Sequence, residues 1–308
     1  MSKTIKVKAP ASIANLACGF DVLGLAINEP FDTIELEMLD ERKVEIASIE
    51  GYNSLSYDSN KNVVGPVLHA ILNSIEKPVG FRVRIRKGIA PGSGIGSSAA
   101  SAAAAAFAAN TLLGNRFSST EMVAFAMEGE KLASGSAHAD NVAPALLGGI
   151  TLVRGYDPLD VVPLAVPAEL YAVVLHPEIV VKTIEARKVL PESIPLKDAI
   201  RQWGNLGGLV AGLHSGNYEL IGRSLTDYVA EPKRANLIPG FFDLKRAAME
   251  NGALGAGISG SGPSVFALCK GEVNAMRVCN AMEFTLRVTG VGFKPQISAI
   301  NRNGTTVC

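Results

Sequence analysis

The chain has 308 residues, 48% of them hydrophobic, and its 29 lysines and arginines balance 29 aspartates and glutamates. That length holds one large domain or two moderate ones, with enough apolar residues for a sizeable core. A net charge of zero lacks the basic excess of a nucleic-acid binder and points instead to a small-molecule or protein partner.

At the N-terminus, charged and apolar residues alternate through Lys3-Thr4-Ile5-Lys6-Val7-Lys8, a strand signal and not a secretory leader. Alternation returns at Thr33 to Met38 and at Phe81 to Arg86. In the second case Phe81, Val83 and Ile85 face one way and Arg82, Arg84 and Arg86 the other, so one face is buried and one wet. Ser98 to Leu113 is predicted as a helix on its alanines. Thr120 to Ala133 is a second helix, with Ser118 or Ser119 as its N-cap. The small-apolar run Ala99 to Ala109 is too short for a membrane span of about 20 strongly apolar residues, and a soluble protein is expected.

Gly148 to Val153 reads as a turn and a strand, after which Gly155, Pro158 and Pro163 break the pattern. A boundary near residues 155–167 divides the chain into domains 1–160 and 161–308. The second domain is predicted to open with a strand at Leu170 to Leu175. Helices follow at Leu196 to His214, Tyr218 to Tyr228, and Phe241 to Asn251, the last closed by Gly252. Ser264 to Cys269 is a strand, Val273 to Arg287 a helix, and Gly292 to Ile300 a final strand. Helices and strands mix in both halves, which is α+β character. Cys18, Cys269, Cys279 and Cys308 form no C-x-x-C pair and have no histidine at zinc spacing. They read as reduced thiols in a cytoplasmic protein.

The most informative segment is Pro91-Gly92-Ser93-Gly94-Ile95-Gly96-Ser97-Ser98-Ala99-Ala100-Ser101, between the arginine-bearing strand and the alanine helix. Its glycines let backbone N–H groups approach an anion. The helix start adds free N–H groups and a positive dipole end, and Ser97 and Ser98 can cap the helix or donate to a ligand. A nucleotide polyphosphate suits these features; a plain turn is the competing reading. Gly94-x-Gly96-x-x-Ala99 matches the dinucleotide fingerprint in form. That fingerprint, however, needs a preceding strand apolar on both faces, and this one carries three arginines. A Walker A loop is excluded because no lysine precedes Ser97.

In the Thr120 to Ala133 helix, Met122, Phe125, Ala126, Leu132 and Ala133 share one face. Glu128 projects away from it, whereas Glu130 falls at its edge, about 80° from Met122. A carboxylate turned inward is costly unless paired or metal-bound. Glu130 is therefore a candidate Mg²⁺ ligand, the alternative being a boundary glutamate that reaches water.

Three segments together resemble the GHMP kinase family. They are Lys8-Ala9-Pro10-Ala11-Ser12-Ile13-Ala14-Asn15-Leu16 with Gly19-Phe20-Asp21-Val22-Leu23-Gly24, the glycine-serine loop, and Gly255-Ala256-Gly257-Ile258-Ser259-Gly260-Ser261-Gly262-Pro263-Ser264. They occur in family order over essentially the whole chain. The form of the first segment, with His138-Ala139-Asp140-Asn141 and Glu231-Pro232-Lys233-Arg234, resembles the homoserine-phosphorylating branch more than the mevalonate-pathway or sugar kinases. Ala17-Cys18 departs from the Gly-Pro common there. The resemblance implies a two-domain fold: an N-terminal domain like ribosomal protein S5 domain 2, with a left-handed βαβ crossover, and a ferredoxin-like C-terminal domain.

It also implies roles. ATP and Mg²⁺ are the donor, L-homoserine is the acceptor in threonine biosynthesis, and the assembly is a homodimer. Pro91 to Ser101 would hold the phosphates, Ser98 and Glu130 the metal, and Asn62 and Lys87 would line the nucleoside site. Asp21, with Asn15 and His138, would receive the substrate amine. Arg187 and Arg234 would take its carboxylate through guanidinium forks. Asp140 and Asn141 are adjacent and either could face the hydroxyl; the branch implies that Asn141 orients it. The third segment either steadies the phosphate loop or is a structural turn. Three rival readings stand: another kinase of the family, a non-catalytic homologue, and an NAD(P)-binding oxidoreductase.

Overall fold

The alternating segments of the first half become a seven-stranded sheet. The computed structural model describes residues 3–135, 137–181 and 183–308. Its first lobe runs β1 (Thr4–Ala14), β2 (Leu23–Leu39), β3 (Val44–Glu50), α1 (Val64–Asn73), β4 (Gly80–Arg86), α2 (Ser97–Leu112), α3 (Ser119–Ser134), α4 (Val142–Leu147), β5 (Ile150–Tyr156) and β6 (Leu159–Leu164). β2 pairs antiparallel with β1, β4 and β5, while β3 and β4 are parallel and joined through α1. Phe81, Val83 and Ile85 are buried as their alternation requires. On the wet face Arg82 stands opposite Glu37 and Glu45, and Arg84 opposite Glu35. Arg82 donates to both glutamates at 3.2 and 3.0 Å and Arg84 to Glu35 at 2.8 Å, cross-strand pairs that favour this register.

α2 is buried on all sides, with nine of its alanines fully covered. Small side chains let the sheet and neighbouring helices approach its backbone closely, which explains a helix without an amphipathic stripe. α3 begins with a capping box in which Ser118 accepts from the Glu121 N–H and Glu121 accepts from Ser118. Its buried face is Val123, Ala126, Gly129 and Glu130, and Leu132 is exposed. The stripe expected through Met122 and Leu132 is therefore rotated. Gly129 is the reason, because a Cβ there would lie 2.7 Å from the Val63 carbonyl and 3.0 Å from Ala102. The helix packs through its glycine, and Glu130 goes inward with it.

The expected break at Gly155, Pro158 and Pro163 is instead the β5–β6 hairpin, with a register shift at Gly155. Among the described residues β6 pairs only with β5, and an edge strand tolerates Pro163 because its N–H is not needed there.

The second lobe runs β7 (Leu170–Pro177), α5 (Thr183–Lys188), α6 (Leu196–Ser215), α7 (Tyr218–Ser224), α8 (Glu231–Arg234), α9 (Phe241–Glu250), β8 (Gly255–Ile258), β9 (Val265–Lys270), α10 (Glu272–Arg287), β10 (Phe293–Ala299) and β11 (Thr306–Val307). Its sheet is antiparallel in the order β10-β7-β9-β8, the β-α-β-β-α-β arrangement expected. Phe241, Leu244, Val278 and Met282 from α9 and α10 pack with Val173, Leu175 and Val265 from that sheet. α7 stops at Ser224, short of the predicted Tyr228. Beyond it the Asp227 carboxylate accepts from the N–H groups of Val229, Ala230 and Glu231 and starts α8 instead. β11 returns to pair with β1 in the first sheet.

Candidate active site

A cleft of about 370 Å³ opens between the lobes, a size ordinary for a small-molecule site. Nearly all the predicted site residues line it: Asn15, Asp21, Asn62, Lys87, Pro91 to Gly94, Gly96 to Ser98, Ser101, Glu130, His138, Asp140, Asn141, Arg187 and Arg234. Ile95, Ala99 and Ala100 do not. Their side chains turn into the hydrophobic core, and only their backbone belongs to the loop.

The glycine-serine loop is held from below and from the second lobe. Gly96 sits at φ +69° as the residue before α2, which has no side-chain cap, so the first N–H groups of the helix remain available to an anion. Neither Ser97 nor Ser98 caps it. Ser97 Oγ donates to the Ile89 carbonyl at 2.9 Å, and the Ser98 hydroxyl lies near Glu130 and favours its charged form. Gly94 is at φ +80°, and a Cβ on it would lie 2.5 Å from the Gly262 carbonyl. Ser259 Oγ donates to the Gly94 carbonyl at 2.7 Å and Ser264 Oγ to the Ser93 carbonyl at 2.6 Å. The third segment thus braces the loop by consuming carbonyls and leaving N–H groups outward. Ser93 Oγ is buried in the cleft wall with no hydrogen-bond partner among the described residues.

Lys87 lies beneath the loop, almost wholly buried. Its ammonium pairs with Asp32 and donates to the Ser97 carbonyl at 2.7 Å and Ser101 Oγ at 3.0 Å. Asp32 also accepts from the N–H groups of Gly88 and Ile89, each at 3.0 Å. This network anchors the start of α2, and Lys87 reaches the cleft only at its floor. Asn62 is similarly engaged: Nδ2 donates to the Ser56 carbonyl and Oδ1 accepts from the Val64 N–H.

Glu130 is buried, and burial pushes its carboxyl pKa up, against the opposing effects of Ser98 and Lys87. Its Oε1 has no hydrogen-bond partner among the described residues. An unpaired buried carboxylate oxygen next to a serine hydroxyl fits a hard cation with oxygen ligands. Among the described residues no group of three or more His, Cys, Asp or Glu could hold a metal. A cation here would need phosphate or water oxygens to complete its shell.

At the other end of the cleft the chain makes a left-handed run at Asn15, Leu16 and Ala17, and Asp21 is left-handed again at φ +60°. Asn15 Oδ1 accepts from the Asp21 N–H at 3.0 Å, and its Nδ2 donates to the Gly260 carbonyl at 2.9 Å. Arg187 Nη2 donates to both Asp21 oxygens at 3.0 and 2.9 Å. The acid and one of the cations proposed for a zwitterion therefore neutralise each other. Arg234 is buried, donating to the Ala186 and Gly260 carbonyls. Burial, opposed by Asp21, lowers its pKa below that of an ordinary guanidinium. Both guanidinium groups lie over the Phe20 ring, at 5.7 and 5.0 Å.

His138 Nδ1 is 3.8 Å from Asp21, beyond hydrogen-bond range. Burial, against the pull of Asp21, holds the ring below its ordinary pKa of 6.5. Asp140 is buried, and desolvation, reinforced by Asp21 and Glu130, pushes its carboxyl up to about 7. Asn141 Oδ1 accepts from Ser12 Oγ at 2.8 Å, which leaves its Nδ2 as the group able to donate to a substrate oxygen. Sequence reasoning missed Ser12, Asp32, Phe20 and Tyr156 as supports. Asp32, in phase with the inward-facing Ile34 and Leu36 of the alternating strand, was the one legible sign.

The arrangement has counterparts among known proteins. Residues 62–149 match the GHMP kinases N terminal domain, and residues 209–287 match GHMP kinases C terminal. A homoserine kinase of Chlorobium phaeobacteroides is 49% identical over 318 residues, covering 99% of each chain. One of Chloroherpeton thalassium is 49% identical over 290 residues, covering 91% of each. The crystal structure of homoserine kinase from Cytophaga hutchinsonii superposes with a TM-score of 0.96 at 48% identity, covering 100% of this chain and 98% of that one.

Proposed function

The chain belongs to the GHMP kinase family, and on that premise we propose that it transfers the γ-phosphoryl group of ATP to the side-chain hydroxyl of L-homoserine, giving O-phospho-L-homoserine for threonine biosynthesis. The observation that carries this reading is one cleft with a phosphate-sized nest of free N–H groups at one end and an Asp21–Arg187–Arg234 cluster at the other. Homoserine carries an amine, a carboxylate and a hydroxyl, and the second cluster offers a partner to each charged group.

Phosphoryl transfer depends mainly on positioning and on neutralising charge. The N–H groups of residues 94–98 receive the phosphate oxygens. Ser98 and Glu130 would hold Mg²⁺, which supplies positive charge to the phosphates when bound. Asp21 accepts the substrate amine and Arg187 and Arg234 take the carboxylate, so the zwitterion replaces both halves of the Asp21–Arg187 pair at once. Asn141, fixed by Ser12, donates to the hydroxyl oxygen and aims it at the γ-phosphorus. The new O–P bond forms as the bond to the ADP oxygen breaks, and the hydroxyl proton leaves to the transferred phosphoryl group without a strong protein base. One observation favours a second reading of that proton: Asp140, with its carboxyl near 7, would serve as base, and the rate would then rise with pH through that value.

The test is ADP release with magnesium and ATP over a panel of acceptors: L-homoserine, mevalonate and galactose. Turnover with homoserine alone supports the reading. Turnover with another alcohol and none with homoserine moves the chain elsewhere in the family. The absence of ADP release with every acceptor in the panel favours a non-catalytic homologue. From the family likeness we also propose a homodimer, which sedimentation at twice the chain mass would support. Cytoplasmic residence accords with four cysteines outside any disulfide. No helix among the described residues is long and apolar enough to cross a membrane.

A further inference from the structure

Tyr156 ends β5 beside the acceptor end of the cleft without lining it. Its hydroxyl donates to the Asp21 carbonyl at 3.0 Å and accepts from the Ala139 N–H at 3.3 Å. Its ring meets His138 edge-on, with centroids 6.4 Å apart and planes at 87°. One phenol therefore ties together two segments remote in sequence. The first is the left-handed Asp21, whose N–H is already held by Asn15. With Tyr156 on the carbonyl, both backbone polar groups of Asp21 are fixed, and its carboxylate is aimed by contacts outside its own loop. The second is the His138-Ala139-Asp140-Asn141 segment, which carries the group proposed to meet the hydroxyl.

We infer that Tyr156 is a positioning residue that sets the distance between the amine-binding carboxylate of Asp21 and the hydroxyl-orienting amide of Asn141, and so selects the length of the amino-alcohol accepted. Homoserine has a fixed number of methylenes between its amine-bearing carbon and its hydroxyl. A site that grips both ends measures that number only if the two grips cannot move apart. The bridging hydroxyl supplies that rigidity, and as a phenol, ordinarily titrating at 10.0 and raised to about 12 by burial, it is a donor throughout the neutral range. This inference rests on the homoserine reading above.

The experiment compares wild type with Tyr156→Phe, using ADP release at varied ATP and varied amino alcohol. The acceptors are L-homoserine, L-serine (one methylene shorter) and L-2-amino-5-hydroxypentanoate (one longer). Phenylalanine keeps the ring against His138, and position 156 is 41% exposed, so no core cavity opens. The expected result is a fall of about tenfold in kcat/KM for homoserine, the scale of one lost hydrogen bond. The ATP KM should stay within about twofold, the melting temperature should fall by no more than a few degrees, and the preference for homoserine over the other two should narrow. An unaltered preference overturns the inference while wild-type turnover still upholds the homoserine reading. Parallel losses in ATP KM and melting temperature beyond these limits also overturn it, because they assign Tyr156 a general structural role. Wild-type enzyme inactive on homoserine defeats the functional reading itself, and the inference with it.

Discussion

Asp140 and Asn141 are neighbours in sequence with opposite electrostatic situations. Asp140 is moved from 3.8 to about 7 by burial and by the charges of Asp21 and Glu130, which corresponds to about 4 kcal/mol as an order of magnitude. The folded chain holds that proton more tightly than the unfolded chain. Stability present below pH 3.8 is therefore lost as the pH rises to about 7. Asp140→Asn should raise the unfolding free energy of the ligand-free protein by a few kcal/mol above pH 7, and leave it unchanged near pH 4. Chemical denaturation at both pH values checks this, and identical curves at high pH contradict it. Asn141→Ala should lower kcat by about ten- to a hundredfold with the ATP KM little altered; wild-type turnover would remove Asn141 from the mechanism. Glu130→Gln should cut kcat/KM by about a hundredfold or more and raise the magnesium concentration needed for half-maximal rate. An unchanged magnesium requirement would place the metal elsewhere.

At the scale of elements, the phosphate loop and its brace form the unit that matters. Ser264 Oγ is fully buried and donates to the Ser93 carbonyl. Ser264→Ala should cost about 1–2 kcal/mol and raise the ATP KM more than the homoserine KM, measured in the same steady-state assay. Equal rises would mean that the brace serves the fold and not the loop. Much of this unit was legible from residue types: three glycines before an alanine helix, and a second Gly-Ser segment of compatible chemistry. The donors and acceptors joining them were not, because serine hydroxyls carry no directional signal in sequence. Glu130 shows the same limit in another form. Its inward turn was read from an apolar stripe centred on Met122 and Leu132, yet the helix buries Val123, Ala126 and Gly129. The glycine contact with Val63 and Ala102 that sets the rotation involves elements distant in the chain. β6 was hidden by Pro158 and Pro163: the first sits in the turn before the strand, and the second marks a break in a central strand but is harmless at a sheet edge.

For the whole molecule, the site exists only because the two lobes meet. Asn15 and Arg234 both donate to the Gly260 carbonyl, and Ser259 and Ser264 reach across to residues 93 and 94. The order of strands in each sheet is what carries these residues from opposite ends of the chain to one cleft, and no local pattern in the sequence specifies that meeting. The central claim is that exposed N–H groups at the start of α2 hold the triphosphate beside Glu130, with the amino alcohol gripped beyond it. A crystal structure with a non-hydrolysable ATP analogue, magnesium and L-homoserine tests it most directly. It should show β- and γ-phosphate oxygens on the N–H groups of residues 94–98, the metal on Ser98 and Glu130, and the homoserine carboxylate and amine on Arg187, Arg234 and Asp21. Phosphates bound away from that loop, or a metal out of reach of Glu130, would contradict the account.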